Sequence, residues 1–492
     1  MTTSTSIDQR LTAIRPADRQ LHWQSLEFYA FIHFGMNTMT DREWGLGHED
    51  PQLFDPDELD ADQWMTALSS AGMKGLILTA KHHDGFCLWP SKVTSHSVAA
   101  SPWRHGQGDV VAEVSAAAAR HGLAFGIYLS PWDRTETSYG SGTPYDDFFV
   151  AQLEELLTGY GPVFSVWFDG ACGEGPNGKR QVYDWDRYHA TIRRLQPGAV
   201  ISVCGPDVRW CGNEAGHTRP NEWSVVPRVL QDAEGIAQHS QQADDPEFSR
   251  RVRSQDDDLG SRAALAGHED DLVWYPAEVN TSNRPGWFYH QKEDDKLRSI
   301  DDLLDVYLGS VGGNSTFLLN VPPDRRGLVA DPDLAALREL GRRINDLRSR
   351  VLDATISFSS GEVAVAGDAF LASAKRWGAE EPGDPNLGLA NGTGWWQPSD
   401  SDPEPQLTLT LDSPQQIEAV ILKEEITLGQ RLEHVIIRGR RHGRDEILAE
   451  TRCVGYQRIL TFPSTTVDQV TVEIRASRGT PAIAAVGLVA KT

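Results

Sequence analysis

The first two-thirds of the chain alternates apolar strands with helical patterns, and this alternation limits the fold more than any other feature. Such alternation produces a parallel sheet with helices outside it. With an eighth strand, predicted near Glu222 to Val226, the sheet would close into a (β/α)8 barrel. A doubly wound open sheet is the competitor, but no Gly-x-Gly-x-x-Gly follows the first strand to support it. The seven clear strands are Tyr29 to Gly35, Gly75 to Ala80, Ala124 to Leu129, Phe164 to Asp169, Ala199 to Cys204, Val273 to Val279 and Ser315 to Asn320.

Helical patterns lie between these strands, and Asp60 is expected to cap the first of them. The predicted helices are Asp60 to Ala71, Asp109 to His121, Tyr145 to Gly159, Trp185 to Leu195 and Leu297 to Ser310.

After a charged helix at Asp331 to Arg350, the pattern changes to short runs of period two, which predict a β-sandwich. We therefore predict two domains: a (β/α)8-like catalytic domain at residues 1–350 and an all-β sandwich at residues 351–492. The stretch from Trp377 to Pro405 is predicted to form long loops within the sandwich. The predicted sandwich strands are Gln406 to Leu411, Ile417 to Leu422, His434 to Arg438, Gln457 to Phe462 and Gln469 to Ile474.

Charge and composition exclude several classes of function. A formal net charge of −24 leaves the chain without the basic surface that a nucleic-acid partner requires. Residues Met1 to Arg10 are polar, and no apolar run is long enough to span a bilayer. The five cysteines form no CxxC pair and suit a reducing compartment. We therefore expect a cytoplasmic protein with no nucleic-acid or membrane partner; the oligomeric state cannot be read from these features.

Polar side chains follow several predicted strands, at the rim where a barrel gathers its functional residues. The apolar run Val163 to Gly170 ends in the carboxylate of Asp169, which is the first residue to test. An Asp-Gly pair also marks an ordinary turn, and the run alone does not decide between the two. The other segments at the rim are Phe31 to Gly35, Ala80 to Phe86 and Tyr128 to Asp133.

Three histidines near these strand ends, His33, His82 and His83, are candidate metal ligands. However, His82 and His83 are adjacent, and successive side chains of an extended strand point to opposite faces, so both do not easily ligate one ion. We therefore expect neither a metal nor a cofactor.

The tryptophans are more informative, because several of the 15, including Trp44, flank the same strand ends. Aromatic faces beside carboxylates suit a sugar ring, which has an apolar face and a rim of hydroxyl groups. Core packing explains many of these tryptophans equally well. Glycoside hydrolysis needs two carboxylates. Asp169 supplies one, and Glu214, Glu278 and Glu43 are candidates for the other that the sequence alone does not rank.

Five segments, in this order along the chain, resemble the α-L-fucosidases of glycoside hydrolase family 29, and the resemblance covers residues 20 to 350. They are Phe31 to Gly35, Arg42 to Gly45, Ala80 to Phe86, Val166 to Gly170 and Arg284 to Tyr289. The resemblance implies a retaining enzyme with Asp169 as nucleophile. It also implies that Trp287 covers the methyl group of fucose, and that the sugar hydroxyls are bound by His33, Glu43, Trp44, His82, His83 and Tyr128.

The segment Gly212 to Gly216 resembles the acid/base region of the subfamily that prefers α-1,3 and α-1,4 fucosyl linkages in branched, Lewis-type glycans. This resemblance implies that Glu214 is the acid/base. Its pKa is expected to be raised by the nearby Asp169 and by burial under Trp210 or Trp223.

The alternative acid/base is Glu278, because other members of the family are thought to use a glutamate nearer that position, and it would accompany broader specificity. The C-terminal segments Val420 to Ile426 and Gly455 to Ile459 are similar to the galactose-binding-like sandwich of such enzymes. Exported members of the family carry signal peptides, whereas the polar residues Met1 to Arg10 do not resemble one. The expected substrate of this chain is therefore an imported fucosylated oligosaccharide. Two other interpretations stay open: a protein that holds a glycan without cleaving it, and a metal-dependent hydrolase on the same barrel.

Overall fold

The computed structural model of the chain describes residues 6–240, 258–363 and 394–492. The helices α1 to α10 are Ile7–Ala13, Asp18–Ser25, Met36–Thr40, Ala61–Ser70, Val110–Arg120, Thr143–Gly159, Trp185–Leu195, Ala233–His239, Ile300–Ser310 and Asp331–Ser349. The strands β1 to β10 are Phe28–Ile32, Gly75–Lys81, Ala124–Leu129, Ser165–Phe168, Val200–Val203, Arg209–Trp210, Val225–Pro227, Leu272–Trp274, Ala277–Ser282 and Thr316–Asn320. The strands β11 to β18 are Thr355–Phe358, Glu362–Val363, Trp396–Gln397, Gln406–Glu424, Leu432–Arg441, Arg444–Thr451, Arg458–Ser477 and Ile483–Ala490.

The first eight-stranded sheet is a (β/α)8-type barrel. Its strands neighbour one another in the order β5-β4-β3-β2-β1-β10-β9-β6, and every pair is parallel. A parallel bridge between Ser202 and Val208 joins the two ends of this order. The strands are buried almost throughout, because helices cover their outer faces and packed side chains fill the interior. The carboxyl ends of the strands therefore meet at one rim, as the sequence predicted.

The eighth strand of the barrel is not the predicted one. The segment near Glu222 to Val226 contributes to β7, which pairs antiparallel with β8 in a separate two-stranded ribbon. The place in the barrel is taken by β6, which pairs with β9. A strand of two residues carries no readable periodicity, whereas Val225 and Val226 are apolar because they pack in the ribbon.

The predicted strand Val273 to Val279 divides into two at Tyr275 and Pro276. Its first residues belong to β8 in the ribbon and its last to β9 in the barrel. Proline has no N–H to donate to a ladder, which favours a break between strands at that position. The cap of α4 agrees with the prediction, since the side chain of Asp60 accepts a hydrogen bond from the Gln63 N–H. No helix in the described ranges is both long and apolar enough to cross a bilayer.

The C-terminal part is an antiparallel β-sandwich, which confirms the predicted fold class. Its two long strands, β14 and β17, each contain two of the predicted strands. The pairing of β14 with β17 shifts its register between Thr410 and Gln415. This irregularity lets β14 continue through polar residues that are typical of a turn. Both halves of β14 contribute to one core, through Leu407 and Leu409 before the shift and Leu422 after it. Of the predicted loops at Trp377 to Pro405, residues 377–393 lie outside the described residues.

The barrel and the sandwich pack against each other along a buried seam. Leu347 of α10 packs in one apolar cluster with Ile421, Ile459 and Val489 of the sandwich. Beside this cluster, the Arg350 guanidinium forms an ion pair with Glu418 at 2.6 Å. The division of the chain into domains at residue 350 stays a prediction.

Candidate active site

A pocket opens at the C-terminal rim of the barrel. The pocket is lined by Phe31, His33, Trp44, His82, His83, Tyr128, Trp167, Asp169, Ala171, Glu214, Asn280 and Trp287. Most of the predicted site residues therefore line one pocket. Glu43 and Glu278 are not among the residues that line it.

Asp169 directly follows β4 and is held in a fixed orientation. Its Oδ1 accepts a hydrogen bond from the Ala171 N–H at 2.8 Å, and its Oδ2 accepts one from the Tyr128 hydroxyl at 2.9 Å. His83 Nε2 lies 3.8 Å from the same Oδ2. The Asp169 side chain nevertheless remains 23% exposed, so a ligand in the pocket can reach it.

His82 and His83 both line the pocket, although the alternation of strand side chains predicted opposite directions. The reason is that β2 ends at Lys81, so the two residues lie in a turn, where their ring centroids are 4.1 Å apart. Burial lowers the pKa of His83 to about 4, that of His33 to about 3, and that of His82 well below its usual range. All three imidazoles are therefore uncharged at neutral pH.

The hydrogen bonds of the Asn320 side-chain amide show that the proton of the His33 ring is on Nδ1. The Asn320 amide nitrogen donates to the Ser282 hydroxyl at 3.0 Å and to the Trp287 carbonyl at 2.7 Å. Its oxygen therefore faces His33 and accepts a hydrogen bond from Nδ1–H at 2.8 Å. The remaining ring nitrogen, Nε2, carries a lone pair and can accept a hydrogen bond from a ligand.

The other two histidines have opposite tautomers. Because the Ser130 hydroxyl donates to the Trp132 carbonyl at 2.6 Å, it accepts from His83 Nδ1–H at 2.7 Å and leaves Nε2 as an acceptor. The Asn37 amide nitrogen instead donates to His82 Nδ1 at 3.2 Å, so the His82 proton resides on Nε2. The pocket therefore presents both acceptors and a donor without any net charge on the histidines.

Glu214 reaches the pocket from the loop that follows β6. Its Oε2 accepts a hydrogen bond from the indole Nε1–H of Trp287 at 3.2 Å. Burial and the negative charge of Asp169 raise the pKa of Glu214 to about 8, so its carboxyl group is largely protonated at neutral pH. The indole that donates to its carboxyl group is that of Trp287; burial under Trp210 or Trp223 stays a prediction.

Glu278 lies in the barrel interior, beneath the pocket. It is fully buried; one oxygen accepts from Trp167 Nε1–H at 2.7 Å and the other from the Tyr29 hydroxyl. Alternate side chains of a strand share a face, so Asn280 occupies the next layer of β9 and lines the pocket in its place. Burial also raises the pKa of Glu278 to about 7. Its carboxyl group is thus protonated in part at neutral pH, but it is shielded from the pocket.

Glu43, which was predicted to bind a sugar hydroxyl, is nearly buried and does not line the pocket, and its role toward the sugar stays a prediction. Its oxygens accept hydrogen bonds from the N–H groups of Trp287 at 2.7 Å and Phe288 at 3.1 Å, and contact His290 Nε2 at 2.9 Å. Burial opposes a charge on His290, but the bonds to Glu43 and Asp41 outweigh it and raise its pKa to about 9. Glu43 and the His290 imidazolium thus hold the loop that presents Trp287.

The sequence analysis did not identify Asn280 as a residue of the site. Its position offered a signal, because it lies two residues after Glu278 and therefore on the same face of the same strand.

Within residues 6–240, 258–363 and 394–492, no three His, Cys, Asp or Glu side chains form a group that could hold a metal ion. Activity in excess chelator is the direct test of metal dependence.

Two carboxyl groups in an aromatic pocket at the C-terminal rim of a (β/α)8 barrel are the arrangement that a glycoside hydrolase uses. A family model described as Alpha-L-fucosidase matches residues 16–346. Alpha-L-fucosidase 1 of Arabidopsis thaliana is 38% identical over 453 residues, which are 91% of this chain and 81% of the relative. The chain belongs to the α-L-fucosidases of glycoside hydrolase family 29.

Solved structures agree with this membership. A crystal structure from Bacteroides ovatus is 42% identical, covers 100% of this chain and 77% of its own, and superimposes with a TM-score of 0.81. A Ruminococcus gnavus GH29 fucosidase in complex with fucose is 29% identical, with a TM-score of 0.79 and coverage of 97% of this chain and 95% of its own.

Proposed function

We propose that the protein is a retaining α-L-fucosidase that releases α-1,3- and α-1,4-linked fucose from branched, Lewis-type oligosaccharides. The observation that carries this proposal is the pairing, in one pocket, of an accessible carboxylate at Asp169 with a protonated carboxyl group at Glu214. In the first step, Asp169 attacks the anomeric carbon while Glu214 gives its proton to the departing glycosidic oxygen. The products of this step are a fucosyl ester of Asp169 and the released sugar.

The second step requires Glu214 to act as a base. When Asp169 becomes an ester, it loses the negative charge that raises the pKa of Glu214. The pKa of Glu214 therefore falls, and its carboxylate can take a proton from the water that attacks the ester. Hydrolysis releases fucose with its anomeric configuration retained and restores both carboxyl groups.

The rest of the pocket supports recognition of a neutral sugar. Nε2 of His33 and of His83 can accept hydrogen bonds from hydroxyl groups, and Nε2–H of His82 can donate one to a hydroxyl oxygen. The indoles of Trp44 and Trp287 line the same pocket and suit the apolar faces of the sugar. Uncharged donors and acceptors keep the cost of displacing water low when a neutral ligand binds.

The role of Asp169 is tested by the Asp169→Ala variant. We expect turnover to be lost while the fold is retained, because only the nucleophile is removed from the pocket. Added azide should restore part of the activity on an activated aryl fucoside, since a small anion can occupy the vacated space. Near-normal activity of this variant would overturn the assignment.

The linkage preference is supported by the resemblance of Gly212 to Gly216 to the narrow subfamily. Parallel digestion of 3-fucosyllactose, a Lewis a or Lewis x trisaccharide, 2′-fucosyllactose and an aryl fucoside is the test. We expect release from the α-1,3/1,4-linked sugars and little from 2′-fucosyllactose. Comparable rates on 2′-fucosyllactose and a Lewis trisaccharide would contradict the proposal.

A cytoplasmic location, with an imported oligosaccharide as substrate, completes the proposal. All five cysteines are unpaired, which suits a reducing compartment. Fractionation of the producing cells, with activity measured in each fraction, tests this location.

A further inference from the structure

We infer that the C-terminal sandwich positions Glu214, by holding the segment of barrel chain that ends the loop carrying this side chain. The inference rests on the proposed acid/base role of Glu214. We call residues 211–219 the acid loop and residues 220–224 the anchor segment. A chain of polar contacts runs from the sandwich through the anchor segment and the acid loop to Glu214.

The sandwich holds the anchor segment by contacts that go mostly to its backbone. Each contact comes from a different residue, so the segment is fixed at several points rather than by one side chain. The contacts are Arg458 Nη2 to the Pro220 carbonyl at 2.7 Å, Arg452 N–H to Asn221 Oδ1 at 3.2 Å, Cys453 Sγ to the Glu222 carbonyl at 3.0 Å, and the Ser224 N–H to Gln430 Oε1 at 2.9 Å.

The anchor segment in turn holds both ends of the acid loop through the buried carboxylate of Glu222. Glu222 accepts hydrogen bonds from Arg209, before the loop, and from Arg219 Nη1 at 3.1 Å, at its end. Arg219 Nη1 also donates to the Cys211 carbonyl at 2.8 Å, at the beginning of the loop. All three charged side chains are nearly inaccessible to solvent, so separating them would leave a buried charge unpaired.

Within the acid loop, Asn213 fixes the turn that carries Glu214. The fully buried Asn213 side chain accepts hydrogen bonds through Oδ1 from the N–H groups of Ala215 at 3.1 Å and His217 at 3.0 Å. The Arg298 guanidinium donates to the Ala215 carbonyl at 3.1 Å. The backbone on both sides of Glu214 is therefore held, and a shift of the anchor segment is transmitted to its carboxyl group.

Asp169 is held instead by Tyr128 and Ala171, which both belong to the barrel. Loosening the sandwich contacts should therefore displace the acid and leave the nucleophile in place. Displacement of a general acid slows substrates with poor leaving groups and spares those with good leaving groups, because only the former need a proton. A merely structural loss would lower the activity on both substrates by the same factor.

The test compares Arg458→Met with Arg438→Met. The first variant removes the guanidinium that holds the Pro220 carbonyl and keeps the aliphatic stem. The second removes a guanidinium that pairs with Glu473 at 2.8 Å within the sandwich, and serves as the matched control. The measurements are kcat/KM on a Lewis x trisaccharide and on an aryl fucoside with a good leaving group.

For Arg458→Met, we expect roughly a tenfold loss on the trisaccharide, as small displacements of catalytic groups produce, and less than about a twofold loss on the aryl fucoside. The control should match the wild type on both substrates. Equal losses on the two substrates, or no loss in a folded variant, would overturn the inference. If Arg458→Met does not fold, Cys453→Ala decides by the same comparison, because it removes the thiol that donates to the Glu222 carbonyl and that accepts a hydrogen bond from Gln430 at 2.9 Å, and thus loosens two of the sandwich contacts to the anchor segment.

Glu214→Gln, measured in parallel, separates the two proposals. If this variant lacks any dependence on the leaving group, the proposed acid/base role fails, and the positioning inference fails with it. If Glu214→Gln shows the dependence and neither Arg458→Met nor Cys453→Ala does, only the positioning inference fails.

Discussion

The acid loop and the interior of β9 each carry a glutamate whose pKa is raised by burial, to about 8 for Glu214 and about 7 for Glu278. The two regions differ in what the carboxyl group faces. Glu278 has both oxygens engaged by buried donors in the barrel interior, whereas Glu214 faces the pocket and Asp169. Burial is the largest cause of both raised pKa values, and access to the pocket and to Asp169 distinguishes the proposed catalytic acid from the structural carboxyl group.

The difference also shows how the fold builds its site. A residue on a barrel strand is rigid, but its height along the strand is fixed by the strand register, and Glu278 lies opposite Thr316, at the first residue of β10. A residue on a loop can reach over the rim, but it needs external support to be equally well placed. The acid loop obtains that support from Glu222 and from the sandwich.

The largest expected effect comes from exchanging each glutamate for glutamine. Glu214→Gln should lower kcat/KM on a Lewis trisaccharide by roughly 10²–10⁴-fold, the usual contribution of a general acid, with a much smaller effect on an activated aryl fucoside. Glu278→Gln should change both rates only slightly, because its amide can still accept the hydrogen bond from Trp167. Leaving-group dependence in Glu278→Gln instead of Glu214→Gln would reverse the comparison and remove the main support for the narrow linkage preference.

The pH dependence of the rate is the next largest effect. Glu214 must be protonated to act as an acid, so kcat/KM on the trisaccharide should fall as the pH rises above about 8, approaching tenfold per unit. The decline should be weaker on the activated aryl fucoside. The decline should persist unchanged in Glu278→Gln. If it disappears in that variant, Glu278 rather than Glu214 is the group whose titration controls the rate.

The sequence predicted most of the barrel, because six of its strands show a short continuous apolar run. Strand β9 was predicted only in part, since it is largely polar and the apolar residues before Pro276 belong to β8. The eighth failed because β6 spans only two residues, and its apolar substitute, Val225 and Val226, belongs to a separate ribbon. The positions of the strand ends correctly predicted that Asp169 lies near His33, His82 and His83. The pattern could not decide between Glu214 and Glu278, since periodicity gives the face of a strand and not the depth of a residue below the rim.

Glu43 shows a second limit of the sequence. Its partners Trp287, Phe288 and His290 lie more than 240 residues away along the chain. Local pattern carries no information on such a contact. The resemblance to the family implied that Glu43 binds a sugar hydroxyl, which stays a prediction, whereas its hydrogen bonds to the loop that presents Trp287 could not be expected from the pattern.

Stability provides a smaller test of the buried carboxyl group. The folded-state pKa of Glu278 is raised from 4.5 to about 7, so its contribution to stability is fully present below pH 4.5 and is lost as the pH rises through 7. Glu278→Gln removes this titration. We therefore expect the stability of the variant relative to wild type to increase between pH 4.5 and 7, by on the order of 3 kcal/mol. Denaturant unfolding at several pH values measures it, and a difference independent of pH would contradict the burial argument.

The smallest expected effect concerns the indole that touches the acid. Trp287 Nε1–H donates to Glu214 Oε2 and stabilises the charged form, so this bond lowers the pKa that burial and Asp169 raise. Trp287→Phe removes the donor, and the pKa of Glu214 should therefore rise. The high-pH decline of kcat/KM on the trisaccharide should then move to higher pH, by roughly half a unit, as expected for one hydrogen bond of modest strength.

Trp44→Phe is the matched control, because Trp44 lines the same pocket and packs edge-on against His83, 5.6 Å between ring centroids. Both substitutions remove aromatic surface and should lower kcat/KM through weaker binding of the sugar. Only Trp287→Phe should move the pH at which the decline begins, since the indole of Trp287 donates the hydrogen bond to the titrating group. A shift of equal size in Trp44→Phe would mean that solvent access to the pocket, rather than the indole hydrogen bond, controls the acid.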